Sequence, residues 1–118
     1  MAFGAVQDIN RSVLIARAKR PLLTWLQTLP EPTDTSLEEI NRECTAYLVP
    51  EYDYETDVPD IIRDASQTVF EMELESWWRD QEDWPDTTDH ALFLAWFDVE
   101  VHSVVHDLVP GPILFNDL

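Results

Sequence analysis

The sequence predicts an α+β fold: a small sheet of about three strands covered by helices on one face, in the order strand, helix, strand, long helix, short helix, strand. Three observations point there. Residues 57–79 (DVPDIIRDASQTVFEMELESWWR) carry apolar positions at helical spacing. Short β-branched runs at residues 12–18, 45–49 and 98–108 have the length and composition of strands. A chain of 118 residues, 45% hydrophobic with five Trp, can bury a real core. Residues 1–118 read as one domain, with residues 1–10 as a loosely held arm and residues 109–118 as a tail.

In order, SVLIARA at residues 12–18 is short and β-branched, hence a strand. Pro21 then sits in the first turn of a helix of about ten residues, made apolar by Leu22, Leu23, Trp25, Leu26 and Leu29, until Pro30 and Pro32 stop it. The polar stretch that follows is mainly loop. Thr35 or Ser36 ahead of Glu38 or Glu39 resembles a capping box for one helical turn over residues 36–41. TAYLV at residues 45–49 is the second strand, and Pro50 with the acidic run 51–57 leads into the long helix. Trp84-Pro85 marks a loop, and Thr87 to Asp89 offer N-caps for a helix over residues 90–97. Residues 98–108 (DVEVHSVVHDL) fit two patterns. As a strand, Val99, Val101, Ser103 and Val105 share one face and Asp98, Glu100, His102 and His106 the other; as helix, Leu94, Phe97, Val101, Val104 and Leu108 form a stripe. The four valines favour strand. Pro110-Gly111-Pro112 turns the chain, and Ile113-Leu114-Phe115 is expected to dock against something apolar.

On a helical wheel the long helix starts well, with Asp57 to cap it and Pro59 in its first turn. Val58, Ile61, Ile62, Ala65, Val69 and Met72 fall within about 100°, the width of a core-facing stripe. Phe70, Leu74, Trp77 and Trp78 form a second apolar arc, and Asp60, Asp64, Glu71 and Glu75 an acidic ridge within about 60°. Glu75 and Arg79 are spaced as an i,i+4 pair. A helix apolar on two sides needs two covers. The second is either the protein's own chain or another molecule, in which case the Phe70/Leu74/Trp77/Trp78 arc and the acidic ridge together form a partner-binding surface.

Charge is uneven. Residues 1–48 hold six acids and five bases, a net of −1, and residues 49–118 hold eighteen acids and two bases, a net of −16. Such a field repels nucleic acid and anionic membranes and attracts basic surfaces, although it also serves solubility alone. No apolar run is long enough to span a bilayer, and residues 1–20 lack the order of a signal peptide, which points to the cytoplasm. Cys44 is the single cysteine, so no internal disulfide forms. With only Gly4 and Gly111, there is no glycine-rich phosphate loop and no call for a dinucleotide cofactor.

Glu100, His102 and His106 are the candidate metal ligands, two imidazoles and a carboxylate. Spacing opposes them: on a strand, residues four apart stand about 13 Å from each other, and on a helix Glu100 points away from the two histidines. Twenty-four acids make any choice of an acid–base pair uninformative. Cys44 has no local nucleophile signature. The Arg17, Lys19 and Arg20 cluster is more simply a neutraliser of nearby acids than a nucleic-acid site.

Trp77, Trp84-Pro85 and the run Trp96-Phe97-Asp98-Val99-Glu100-Val101-His102-Ser103, with Pro21-Leu22-Leu23-Thr24-Trp25-Leu26 after the first strand, resemble small bacterial proteins known only as uncharacterised. The resemblance covers residues 10–110 and implies a free-standing bacterial protein, with no activity to carry over.

The expected function is therefore a small, acidic, cytoplasmic protein–protein interaction module without cofactor. It binds a basic partner, in one form by imitating nucleic acid, or pairs with itself through the aromatic arc. The alternative is a small enzyme, metal-dependent, that uses His102 and His106 with carboxylates.

Overall fold

In a computed structural model that describes residue 4 and residues 6–116, the chain is a mixed α+β fold with four helices and two small antiparallel sheets among the described residues. β1 (Gln7–Asp8) is a two-residue strand. β2 (Ser12–Ala18) follows, then α1 (Arg20–Thr28), the single turn α2 (Leu37–Ile40), β3 (Ala46–Val49), α3 (Val58–Glu75), α4 (His90–Trp96), β4 (Phe97–His102) and the two-residue β5 (His106–Asp107). The main sheet has the order β3-β2-β4, so β2 is central and both neighbours run antiparallel to it.

Strict alternation along β2 explains its position. Ser12, Leu14, Ala16 and Ala18 are buried, whereas Val13, Ile15 and Arg17 are half-buried on the other side. Register places Leu14 opposite Tyr47 and Val101, and Ala18 opposite Phe97, so one face of all three strands meets the helices. Leu48, Asp98 and His102 remain exposed on the opposite face. The helices thus cover one side of the sheet.

The core centres on aromatic rings. Phe70 lies 5.6 Å from Phe93, 5.5 Å from Trp96 and 5.7 Å from Phe97, between ring centroids, in tilted and edge-on arrangements. Leu14, Leu22, Leu26 and Leu74 close around them.

Several expectations need correction. The loosely held arm is partly tied: Gln7 and Asp8 pair with Asp107 and His106, and Ile9 N–H donates to the Val105 carbonyl at 3.0 Å. Residues 1–3 and 5 of that arm, and residues 117–118 of the tail, lie outside the described residues. The stretch 98–108 is neither one long strand nor a helix. β4 begins at Phe97, directly after α4, and ends at His102; β5 is a separate bridge. Val104, which the helical stripe would have buried, is 62% exposed. The long helix stops at Glu75, so Arg79 lies beyond it and the i,i+4 pairing with Glu75 lapses. Asp57 makes no side-chain cap, because it closes a 3-10 turn over Glu55–Asp57 and already has helical backbone angles. The tail does not dock: Ile113, Leu114 and Phe115 are 54%, 79% and 97% exposed.

Candidate interaction surface

Helix α3 positions most of the residues singled out from the sequence. Its buried positions are Ser66, Val69, Phe70 and Leu74. On the wheel these span the gap between the two predicted apolar arcs and centre about 100° from the centre of the first. The arcs are therefore the two shoulders of one wide core face. Met72, at the far edge of the first arc, is 42% exposed. Phe70 and Leu74 are fully buried, which removes them as a contact surface for a partner: the chain's own aromatic cluster is their cover.

Trp77 and Trp78 are half-buried and stand past the end of the helix, where their backbone N–H groups both donate to the Leu74 carbonyl, at 3.0 and 2.9 Å. Three indoles then fix the connection to α4. Trp78 Nε1 donates to Asp83 Oδ2 at 2.8 Å, Trp84 Nε1 to the Trp78 carbonyl at 2.7 Å, and Trp25 Nε1 to the Asp83 carbonyl at 2.8 Å. Beside this lock Pro21, Trp25, Trp84, Pro85 and Trp96, with Arg20 and Asp83, line an open cleft of about 570 Å³.

Opposite the core face, α3 presents the acidic ridge. Asp60, Asp64 and Glu75 are exposed. Arg63 Nη1 approaches Asp60 Oδ1 at 3.1 Å, a pair of small energetic weight because both side chains are well exposed. Glu71 is half-buried and differs from the other three: its Oε2 accepts from Thr87 Oγ1 at 2.6 Å and from Gln67 Nε2 at 3.2 Å, which ties α3 to the segment before α4. Acidic segments extend the ridge at both ends. Glu51, Asp53, Glu55 and Asp57 precede α3, and Asp80, Glu82, Asp83, Asp86 and Asp89 follow it, all exposed.

The proposed metal ligands do not converge. Glu100 Oε1 accepts from Arg17 Nε at 2.9 Å across the β2–β4 pair, and its Oε2 lies 3.3 Å from His102 Nε2. These contacts hold its carboxyl below the usual glutamate range, with the Arg17 hydrogen bond as the main cause. His106 belongs to the other sheet, where it pairs with Asp8. Among the described residues, no group of three or more His, Cys, Asp or Glu side chains is placed to share a metal ion. Cys44 packs beside Arg17, whose Nη1 lies 3.7 Å from its Sγ.

One pair escaped sequence reasoning. Glu73 points from α3 towards the sheet, and Tyr47 Oη donates to its Oε2 at 2.5 Å. Burial raises the Glu73 carboxyl above its ordinary range, although the hydrogen bond from Tyr47 opposes the shift; burial raises Tyr47 as well, followed by its bond to Glu73. The signal was present: Glu73 falls between the two apolar arcs on the wheel, the one carboxylate there that has to be buried.

Against protein-family models, curated proteins and solved structures the chain finds no match. Among the described residues no helix is long and apolar enough to cross a membrane.

Proposed function

We propose that the protein is an acidic docking module that binds a basic protein partner through the solvent face of α3. The observation that carries this reading is the distribution of charge: residues 51–89 contain fourteen acids against Arg63 and Arg79, and those acids run along α3 and through the segments at both its ends. Acids grouped in this way project a field that steers a cationic surface and favours its contact. Asp60, Asp64 and Glu75 are the expected contacts on the helix, with Met72, 42% exposed, as the apolar part near its C-terminal end.

Imitation of nucleic acid is the stricter form of this reading. The ridge acids on α3 are separated by four, seven and four residues, or about 6, 10 and 6 Å of helix rise. That uneven row favours a general basic partner over a mimic of regularly spaced phosphates. No observation favours the metal-dependent enzyme, since His102 and His106 have different partners in different sheets.

The test compares two variants of equal charge. One is Asp60→Asn/Asp64→Asn/Glu75→Gln on α3. The other is Glu31→Gln/Asp34→Asn/Glu43→Gln, at exposed positions elsewhere. Titrated with a lysine-rich polypeptide, the α3 variant should lose roughly tenfold in affinity and the control much less, at about 0.2–1 kcal/mol per lost exposed pair. Equal losses would mean that net charge alone drives binding, and the α3 face would be no site.

A further inference from the structure

Among the described residues strand β3 is an edge strand, paired with β2 on one side only. Along its other side runs a groove of about 360 Å³ between β3 and α3, lined mainly by Tyr47, Val49, Pro50, Ile61, Ala65 and Val69. Asp64 and Thr68 are its polar contributions. An open edge beside an apolar groove is the geometry in which an extended segment adds as a further strand, its backbone paired to the edge and alternate side chains set in the groove.

The chain itself carries a segment of matching chemistry. Residues 108–116 (LVPGPILFN) contain no charge in a protein of net charge −17, and Cys44 to Pro50, which include β3, are likewise uncharged. Ile113, Leu114 and Phe115 are exposed, Phe115 almost fully, and are the most apolar consecutive residues of the tail. Pro110, Gly111 at φ +97°, and Pro112 prevent a helix there, and the next three residues have no secondary structure of their own. Each of those three keeps a backbone N–H for pairing, and a proline just before a strand removes none of its hydrogen bonds.

We propose that the tail of one copy adds as a strand to β3 of a second copy, and reciprocally, to form a symmetric dimer. The alternation fits. Along β3, Tyr47 and Val49 face the helices and Leu48 faces outward, 54% exposed. An added strand places Ile113 and Phe115 together on the groove side and Leu114 beside Leu48. A lysine- or arginine-rich segment would gain little along this edge itself, since Asp64 is the only charge lining the groove. Two-fold exchange covers the β3 edge of both copies at once.

Sedimentation equilibrium tests this on the full chain, on a chain ending at Val109, and on Ile113→Asp/Phe115→Asp, which alters exposed positions and so leaves folding intact. The full chain should dimerise in the micromolar range, and more readily as salt rises, because salt screens the repulsion between two acidic copies and leaves the apolar contact intact. Both variants should remain monomeric, and Phe115→Ala should weaken association about tenfold or more. A peptide of residues 109–116 added to the shortened chain should shift the amide resonances of Tyr47, Leu48 and Val49. A full chain that stays monomeric at submillimolar concentration would overturn the proposal, as would a dimer that survives loss of the tail. So would a monomer whose β3 amides lose protection when the tail is removed, because that places the tail on its own groove. The opposite salt dependence separates this contact from the docking of a basic partner on α3.

Discussion

Glu73 and Ser66 sit in the middle of the core face of α3, where a helix of ordinary pattern would be apolar. Each has a partner: Ser66 Oγ donates to the Arg63 carbonyl at 2.9 Å, and Glu73 accepts from Tyr47. A buried polar group left without its partner costs about 1–3 kcal/mol. Tyr47→Phe should therefore destabilise by about that amount at neutral pH, and less in a Glu73→Gln background, measured by urea denaturation of the double-mutant cycle. The pH dependence has a definite sign. The folded chain holds the Glu73 proton more tightly than the unfolded chain does, so the contribution of Glu73 is fully present below the ordinary glutamate range and is lost as pH rises through its raised value. Glu73→Gln should flatten that decline; an unchanged stability profile from pH 4 to neutrality would contradict the assignment. Glu100 is the converse, with its carboxyl lowered by Arg17, so its contribution is present above the ordinary range and lost as pH falls.

At the scale of the element, α3 separates core from surface on one rod. Phe70→Ala opens the aromatic cluster and should cost about 3–5 kcal/mol, a large part of the 5–15 kcal/mol typical of a small domain. Neutralising Asp60, Asp64 and Glu75 should change stability by no more than about 0.5 kcal/mol each. If chemical denaturation gave similar losses for both, the rotation of α3 would be wrong. Asp89→Ala should cost about 1 kcal/mol in the same assay, because Asp89 Oδ1 accepts from Leu92 N–H at 3.1 Å and caps α4. That cap, the start of α1 at Pro21 and the span of β2 were legible in the sequence, since local composition decides them. The end of α3 was not. Trp77 and Trp78 continue the helical pattern on a wheel, yet the indole of Trp78 and the backbone around it are committed to Asp83 and Trp84, contacts across a loop that no local pattern encodes. The same limit applies to Phe70: periodicity separated two apolar arcs, and only the position of the sheet reveals that one surface covers both.

For the molecule as a whole, the sheet and the charge divide differently. Helices cover one face of β3-β2-β4, and the acids gather around α3 on the outside of that layer. Nothing in the core chemistry requires this: the buried contacts are aromatic and aliphatic, and the Tyr47–Glu73 pair accounts for one carboxylate among twenty-four. The charge was legible from composition and its asymmetry from position along the chain. Its gathering along one helix became visible only when the core face of α3 was located opposite the ridge. A docking surface of this kind works through field strength, so its affinity depends on ionic strength. The most direct measurement is the affinity for a lysine-rich polypeptide as salt is raised from low to physiological concentration, for the native chain and for Asp60→Asn/Asp64→Asn/Glu75→Gln. A steep fall for the native chain and a clearly shallower one for the variant is the predicted result; affinity indifferent to salt, or identical slopes for the two proteins, would contradict a docking role for α3.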